Sequence, residues 1–420
     1  MAPPEMPRGE SRHPAPQATA KEAATAAARR IMEAGFTAYF AGGCVRDELL
    51  GIEPTDYDLA TDAKPDEIAT LFRGSRGVGE SFGVMLVRVR GRVTEVATFR
   101  TDGRYEDGRR PSHVRFASAA EDAQRRDFTI NGLFRHPLTN EIVDFVKGQQ
   151  DLNARVLRAI GDPDARLRED RLRTLRAARF AARFALTIDP ATALAIQLAG
   201  EDLAGVSRER IGGEFRRMLT HETRVRALEL IEEWKLDRAT LGEAPSAGPL
   251  IRVAAVHRDA SFATALAAWQ LDRAARYGTC SAPSCETWRD RLNLSARESS
   301  DLEAIGQLVA VLTTSWPTLA VAGRKRLASR SVFASSLAIL SAENPRLGLE
   351  IGEAAAALSK QHGGLAPQPF VTGSDLIGMG CAPCPRFKPF LDSLYDRQLD
   401  GTIASRDEAL GVARAEWFSH

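Results

Sequence analysis

Long apolar runs are missing from this chain. No segment approaches the ~18 consecutive apolar residues needed to span a bilayer, which excludes an integral helical membrane protein and makes a membrane partner unexpected. Cysteine is scarce, with five in 420 residues, and the first twenty residues are proline-rich without an apolar core. An odd cysteine count without an export signal points to a reducing compartment, so the expected location is cytoplasmic and residues 1–20 read as a disordered leader. The cysteines also make a poor zinc set. Cys381 and Cys384 have suitable spacing, but Cys280 and Cys285 are further apart and no histidine lies near them. No repeat recurs at a fixed period. Net charge is small, +1 overall, and says little by itself. The charge is nevertheless uneven. Residues 100–183 hold 18 Lys and Arg against 13 Asp and Glu, a local +5 that suits contact with phosphates.

What is present divides into two kinds of sequence. Residues 21–146 mix α and β signals. Residues 21–34 form an Ala-rich helix stopped at Gly35, and 38–41 a short strand. Residues 57–60 read as a strand, and 65–72 as a helix with Pro in its first turn. Residues 84–89 and 93–99 form a hairpin turning at Gly91-Arg92, and 141–146 a last strand. From about 149 the pattern becomes Ala-, Leu- and Arg-rich at helical spacing, which predicts helices to about 362. The Gly- and Pro-rich stretch 363–369 reads as a linker before a short helical C-terminal module. The fold class is therefore α+β, with a small mixed sheet and helices first and an all-α remainder after it.

The sharpest chemical signal is Asp56-Tyr57-Asp58. On a strand, alternate side chains share a face, so the two carboxylates lie roughly 6.5–7 Å apart at Cα and can reach one Mg²⁺ or a close pair. Two such ions about 4 Å apart activate a hydroxyl and stabilise the leaving oxygen of an in-line displacement. Glu95, on a neighbouring strand, is the candidate third carboxylate. Just upstream, Gly42-Gly43-Cys44-Val45-Arg46-Asp47 allows close backbone approach to a ligand, and a helix starting near Cys44 would aim free N–H groups at a phosphate.

The ordered set GGCVRD (42–47), DYD (56–58), EVATFR (95–100), RRDFTINGL (125–133) and EDRLRTLRAARFA (169–181) resembles the class II tRNA nucleotidyltransferase and poly(A) polymerase family. The resemblance is strong over residues 39–184, weaker over 207–219, and faint over 372–410. It implies a nucleotidyltransferase head at 21–148, a helical neck with a base-recognition helix at 149–220, a body at 221–362, and a tRNA-binding tail at 363–420. It also implies that Asp56 and Asp58 hold catalytic Mg²⁺ with Glu95. Gly42, Gly43 and Arg46 then lie at the triphosphate, and Arg126, Asp127 and Asn131 handle ribose and phosphates. Glu169-Asp170-Arg171-Leu172-Arg173 resembles the family's amino-acid template for the incoming base. Asp170 and Arg173, three apart, are expected on one helix face, offering acceptors and donors to the edge of cytosine or adenine. Arg176 and Arg179 are expected at phosphate or solvent, while Ala177, Phe180, Ala181 and Phe184 form a core stripe. Glu209, Arg210 and Glu214 resemble a later motif that buttresses the neck.

What the resemblance implies chemically is template-independent addition of C, C and A to the 3′ end of tRNA, with tRNA, CTP and ATP as partners and pyrophosphate released. Two features favour this over poly(A) synthesis. Residues 77–87 lack the arginines that poly(A) polymerases of the family carry before the EVATFR strand, and a polar, Gly-rich loop at 101–114 matches the one needed for the terminal A. An A-adding enzyme would also keep that loop. An inactive RNA-binding relative would have no use for the three carboxylates. Some relatives add an HD phosphohydrolase domain, but in His257-Arg258-Asp259 the His and Asp are not adjacent, so that activity is not expected.

Overall fold

Helix α1 (Ala20–Glu33) opens the described chain and is closed at its start by a reciprocal capping box between Thr19 and Glu22. Its buried stripe is Ala23, Ala24, Ala27, Ala28 and Ile31, small residues that let the helix lie close on a sheet. The computed structural model describes residues 18–78, 83–102, 114–199, 203–277, 285–361 and 363–418. The chain forms two compact units, Met1–Ser207 and Arg208–His420.

In the first unit, β1 (Ala38–Ala41) leads into α2 (Gly43–Leu49), followed by β2 (Leu59–Thr61), α3 (Pro65–Leu71), β3 (Arg76–Gly77), β4 (Val84–Val89) and β5 (Arg92–Thr98). Next come β6 (Arg100–Asp102), β7 (Val114–Phe116), α4 (Ala119–Gln124), a 3-10 turn (Thr129–Asn131), β8 (Leu133–Arg135) and β9 (Ile142–Asp144). Seven strands join in the order β3-β4-β5-β2-β1-β8-β9, antiparallel except for the parallel β2–β5 pair. One face carries Ala41, Ala60, Phe99 and Phe134 against Ala123 of α4. Helix α1 packs on β1, β4 and β5.

The hairpin turns one residue earlier than expected, at Arg90 and Gly91, whose φ values of +49° and +79° suit the right-handed twist of the flanking strands. The strand expected at 57–60 begins only at Leu59, so Asp56 and Asp58 precede it in extended chain. The carbonyl of Asp58 still accepts from Ala41 N at 3.0 Å, so this segment is anchored beside β1. Strand β8 was not foreseen, being three residues long.

After α5 (Gly148–Asn153) the expected run of helices is broken by β10 (Val156–Leu157). Helices α6 (Pro163–Glu169) and α7 (Leu172–Arg183) follow, then β11 (Thr187–Ile188) and α8 (Pro190–Ala199). Strands β10 and β11 form a parallel pair too short to leave a period-2 pattern in the sequence. Alternation marks no two-residue strand.

Gly148 shows how tightly α5 supports the 3-10 turn. A Cβ there would lie 2.2 Å from the Thr129 carbonyl and 2.9 Å from Leu133 Cδ2. Thr129 Oγ1 also donates to Asp151 of α5 at 2.8 Å. We expect Gly148→Ala to cost about 1–3 kcal/mol through overpacking, read by thermal melting.

The second unit is helical throughout its described residues. It holds a buried ionic core in which Arg273, fully buried, meets Asp237 at 2.7 Å and Glu243 at 3.2 Å. The indole N–H groups of Trp269 and Trp288 donate to Glu232 and Glu243. Gly212 is pressed against the backbone of Leu292, where a Cβ would lie 1.9 Å from its carbonyl oxygen. Glu214, expected as a buttress, is buried and paired with Arg217 at 3.0 Å. No helix of the described residues is long and apolar enough to cross a membrane.

Several expectations fall outside the described residues: most of the leader, residues 79–82, the loop between Asp102 and Val114, and the side chains of Cys280 and Cys285. Cys381 is buried and Cys384 exposed.

Candidate active site

Three carboxylates lie near one another where the chain enters β2 beside β5, in the middle of the sheet. Continuing the β2–β5 register, in which Leu59 pairs with Val96, sets Asp58 beside Glu95. Asp56 lies two residues back on the same face, and all three side chains line a cleft shared with Ala20, Arg92 and Val93. Asp58 keeps contact with solvent, but burial of its carboxyl, then the charges of Glu95 and Asp56, push it up to about 7 against the opposing charge of Arg126. Glu95 is raised for the same reasons, burial first and the Asp56 charge second.

Mutual repulsion among hard oxygen donors at a solvent-accessible site is the environment that a divalent cation relieves, so the donor set fits Mg²⁺. Among the described residues no three potential ligands converge on one coordination point.

The raised Asp58 has a consequence for stability. A carboxyl whose folded value (about 7) exceeds its unfolded value of ~3.9 favours the fold below the unfolded value, and that contribution is lost as pH rises through 7. In metal-free protein, Asp58→Asn is therefore expected to raise the melting temperature at pH 8 more than at pH 5. Mg²⁺ should stabilise the parent protein and leave the variant unmoved. Melting curves with and without EDTA test this.

Next to the carboxylates, the Gly42 backbone turns with φ +70°, and a Cβ there would lie 2.8 Å from Arg126 Nη1. Only glycine permits both the conformation and the approach. Gly43 then begins the seven-residue helix α2. Cys44 lies close enough to Asp58 that burial and that charge push its thiol up to about 12, leaving it inert.

Arg46, expected at the triphosphate, is buried and committed elsewhere. It donates to Asp47 Oδ1 at 2.8 Å and to Asn131 Oδ1, and its guanidinium lies 4.5 Å from the Phe184 ring centre and 5.1 Å from that of Phe180. Asn131 passes the connection on, donating to Asp127 Oδ1 at 3.0 Å. Asp127 also accepts from Phe128 N at 2.8 Å and from Arg176 Nε at 2.7 Å. Burial opposes ionisation of Asp127, but Arg176, Asn131 and the Phe128 N–H outweigh it and hold the carboxyl well below its usual range. This chain of contacts brings α2, the 3-10 turn and α7 together, so Arg46, Asn131, Asp127 and Arg176 form one network.

Arg126 belongs to the neighbouring cluster. It pairs with Asp122 at 3.0 Å, donates to the Asn131 carbonyl at 3.2 Å and lies 5.0 Å from the Phe134 ring centre. Asp122, buried and shared with Arg125 at 2.7 Å, was not singled out from the sequence. Its i, i+3 and i+4 spacing to the two arginines was the available signal.

The expected pairing of Asp170 with Arg173 on one helix face is corrected. Asp170 lies in the break between α6 and α7, with φ −143° and ψ 99°, and its Oδ1 accepts from Leu172 N at 3.2 Å. Arg173 is on α7 and buried, donating to Glu169 Oε2 and the Arg166 carbonyl, each at 2.7 Å, and to the Arg125 carbonyl at 3.2 Å. Arg179 is also buried, with its guanidinium 4.1 Å from the Phe180 ring centre. Ala177, Phe180, Ala181 and Phe184 are buried as the core stripe requires.

Comparison with known proteins bears on this arrangement. Residues 38–158 match the family described as the poly(A) polymerase head domain, and residues 185–241 the family described as a probable RNA- and SrmB-binding site of polymerase A. The CCA-adding enzyme of Lacticaseibacillus paracasei is 44% identical over 210 residues, 50% of this chain and 52% of that relative. The chain thus matches about half the length of that relative, and of the CCA-adding enzymes of Limosilactobacillus fermentum and Limosilactobacillus reuteri. The CCA-adding enzyme of Geobacillus thermodenitrificans is 34% identical over 393 residues, covering 91% of this chain and 93% of that relative. Among solved structures, the Bacillus stearothermophilus CCA-adding enzyme in complex with CTP superposes with a TM-score of 0.74 at 25% identity, covering 95% of this chain and 99% of that one. The Thermotoga maritima CCA-adding enzyme complexed with tRNA shares the fold, with a TM-score of 0.66 at 19% identity and 94% of each chain covered. An identity of 34% over nearly the full length of both chains, together with the shared fold, places this chain in the CCA-adding enzyme family.

Proposed function

We propose that this protein adds C, C and A to the 3′ end of tRNA without a nucleic-acid template, using CTP and ATP, in the cytoplasm. The observation that carries the reading is the meeting of Asp56, Asp58 and Glu95 beside a buried network of Arg46, Asn131, Asp127 and Arg176. The first group suits a metal-assisted displacement, and the second suits a ribose and triphosphate. Relatives solved with CTP and with tRNA support the same substrates.

In this reading the terminal ribose hydroxyl of tRNA attacks the α-phosphorus of the nucleotide. The O–P bond forms as the hydroxyl proton passes to solvent, the bond to the bridging oxygen breaks, and pyrophosphate leaves with the electron pair. Asp56 and Asp58 would hold Mg²⁺, which would supply Lewis acidity to lower the hydroxyl pKa and offset the charge of the triphosphate. Glu95 completes the acidic site, and Arg126 adds a positive charge beside it. Gly42 and Gly43 allow the backbone to approach the phosphates, while Arg46 fixes the turn from behind. Asp127 is placed to accept from a ribose hydroxyl.

Base choice rests on Asp170 and Arg173. Arg173 offers five N–H donors while bonding Glu169 and the Arg166 and Arg125 carbonyls, and the Asp170 carboxylate can accept further bonds beside that from Leu172 N. Selection by such directional bonds penalises bases that leave these groups unpaired. Arg176 and Arg179 lie on the same helix. The head, neck, body and tail at 21–148, 149–220, 221–362 and 363–420 remain part of this proposal.

Substrate class is tested by offering ATP alone to unrelated RNA and to tRNA ending in CC. A single A added to the tRNA, with other RNA untouched, supports tRNA maturation. Long ladders on any RNA would assign poly(A) synthesis instead.

A further inference from the structure

Between the two aspartates, Tyr57 borders the same cleft but packs its ring inward. It is buried, its ring is 5.2 Å from that of Phe40 in an edge-on arrangement, and its hydroxyl donates to Glu48 Oε1 at 2.6 Å. The same carboxylate accepts from Lys21 Nζ of α1 at 2.7 Å and, through its other oxygen, from Arg135 of β8. Glu48 lies on α2, which starts at Gly43. One carboxylate thus ties α1, α2, β8 and the DYD segment together, although that segment precedes β2 and has no full strand ladder of its own.

Position in the chain makes this connection relevant to the metal site. Tyr57 is held inward at both ring and hydroxyl, while Asp56 and Asp58 on either side of it are exposed. We propose that Glu48 and Tyr57 are positioning residues that fix the spacing of the Asp56 and Asp58 carboxylates for the divalent cation. The inference rests on the reading of those aspartates as Mg²⁺ ligands. Neither residue touches the reacting atoms. Their effect is to pre-set the ligands, so their loss weakens metal capture more than it slows the chemistry once metal is bound.

The test uses the full chain carrying Tyr57→Phe, which deletes a single oxygen, and separately Glu48→Gln. Incorporation of labelled CMP into tRNA is followed across Mg²⁺ concentrations, with melting temperatures measured in parallel. The half-saturating Mg²⁺ concentration is expected to rise about tenfold in Tyr57→Phe, at the lower end of the cost of removing an orienting partner from a metal site, and at least as much in Glu48→Gln. The maximal rate at saturating Mg²⁺ should stay near that of the parent. An unchanged Mg²⁺ requirement in Tyr57→Phe overturns the proposal, and a lowered melting temperature beside it would assign the contacts to stability alone. Should Glu48→Gln fail to fold, Tyr57→Phe alone decides. If the parent protein incorporates nucleotide without any divalent ion, the metal reading itself fails, an outcome distinct from failure of the positioning role.

Discussion

Asp56→Ala and Asp58→Ala should each lose nucleotide incorporation by three orders of magnitude or more while keeping the fold. The size follows from the several kcal/mol that metal-assisted charge stabilisation supplies, at about 1.36 kcal/mol per factor of ten. The fold should persist because both residues keep contact with solvent, and the bond that anchors this segment to β1 comes from the backbone of Asp58. Circular dichroism and melting would match or exceed the parent protein, since removing a carboxylate relieves repulsion at the acidic site. Rate measurements at saturating tRNA and CTP provide the check. An activity loss below tenfold in either variant would remove that aspartate from the catalytic set.

The second large effect is expected at Asp127. Asp127→Ala leaves the Arg176 guanidinium and the Asn131 amide without their shared acceptor and loosens the Arg46 end of the network. Breaking a buried pair from one side costs about 3–5 kcal/mol. Arg176 retains partial solvent contact, so a value near ~3 kcal/mol is expected, or roughly 6–12 °C in melting temperature for a unit of this size. The pH dependence has a definite sign. Asp127 is depressed in the fold, so its stabilisation is present above the unfolded value of ~3.9 and lost as pH falls through the lower folded value. The gap between parent and variant should therefore be widest near neutrality and close in acid. Nucleotide affinity should fall with it, read by titration at 10 °C, where the variant is still folded. A variant that melts like the parent at pH 7 would contradict the network's structural role.

Much of the catalytic unit was legible because its signals are local. The Ala-rich helix with its cap, the Gly91 hairpin and the alternating 84–99 segments each carry a periodicity or turn chemistry that acts within a few residues. The DYD spacing was legible for the same reason, although its residues lie just ahead of β2. Legibility failed where structure depends on distant partners. Strands β8, β10 and β11 are two or three residues long and exist only through their neighbours. Asp170 sits at the right spacing for a helix face, yet the chain breaks there, its side chain bonding the Leu172 N–H. Arg46 bonds Asn131, 85 residues away, and Arg135 bonds Glu48 across 87. No spacing rule reaches so far. The resemblance placed Arg46 at the triphosphate; its burial against Asn131 and Phe184 is a partnership that no local pattern shows.

The most direct measurement of the central claim is incubation of the purified protein with tRNA transcripts ending at the discriminator base, at C and at CC, each with Mg²⁺ and with CTP, ATP or both. The account predicts that the bare transcript gains C, C and A in order and then stops, that CTP alone yields only CC, and that EDTA blocks every step. Addition of A to the CC-ended transcript alone, or unbroken growth with ATP on any end, would contradict it.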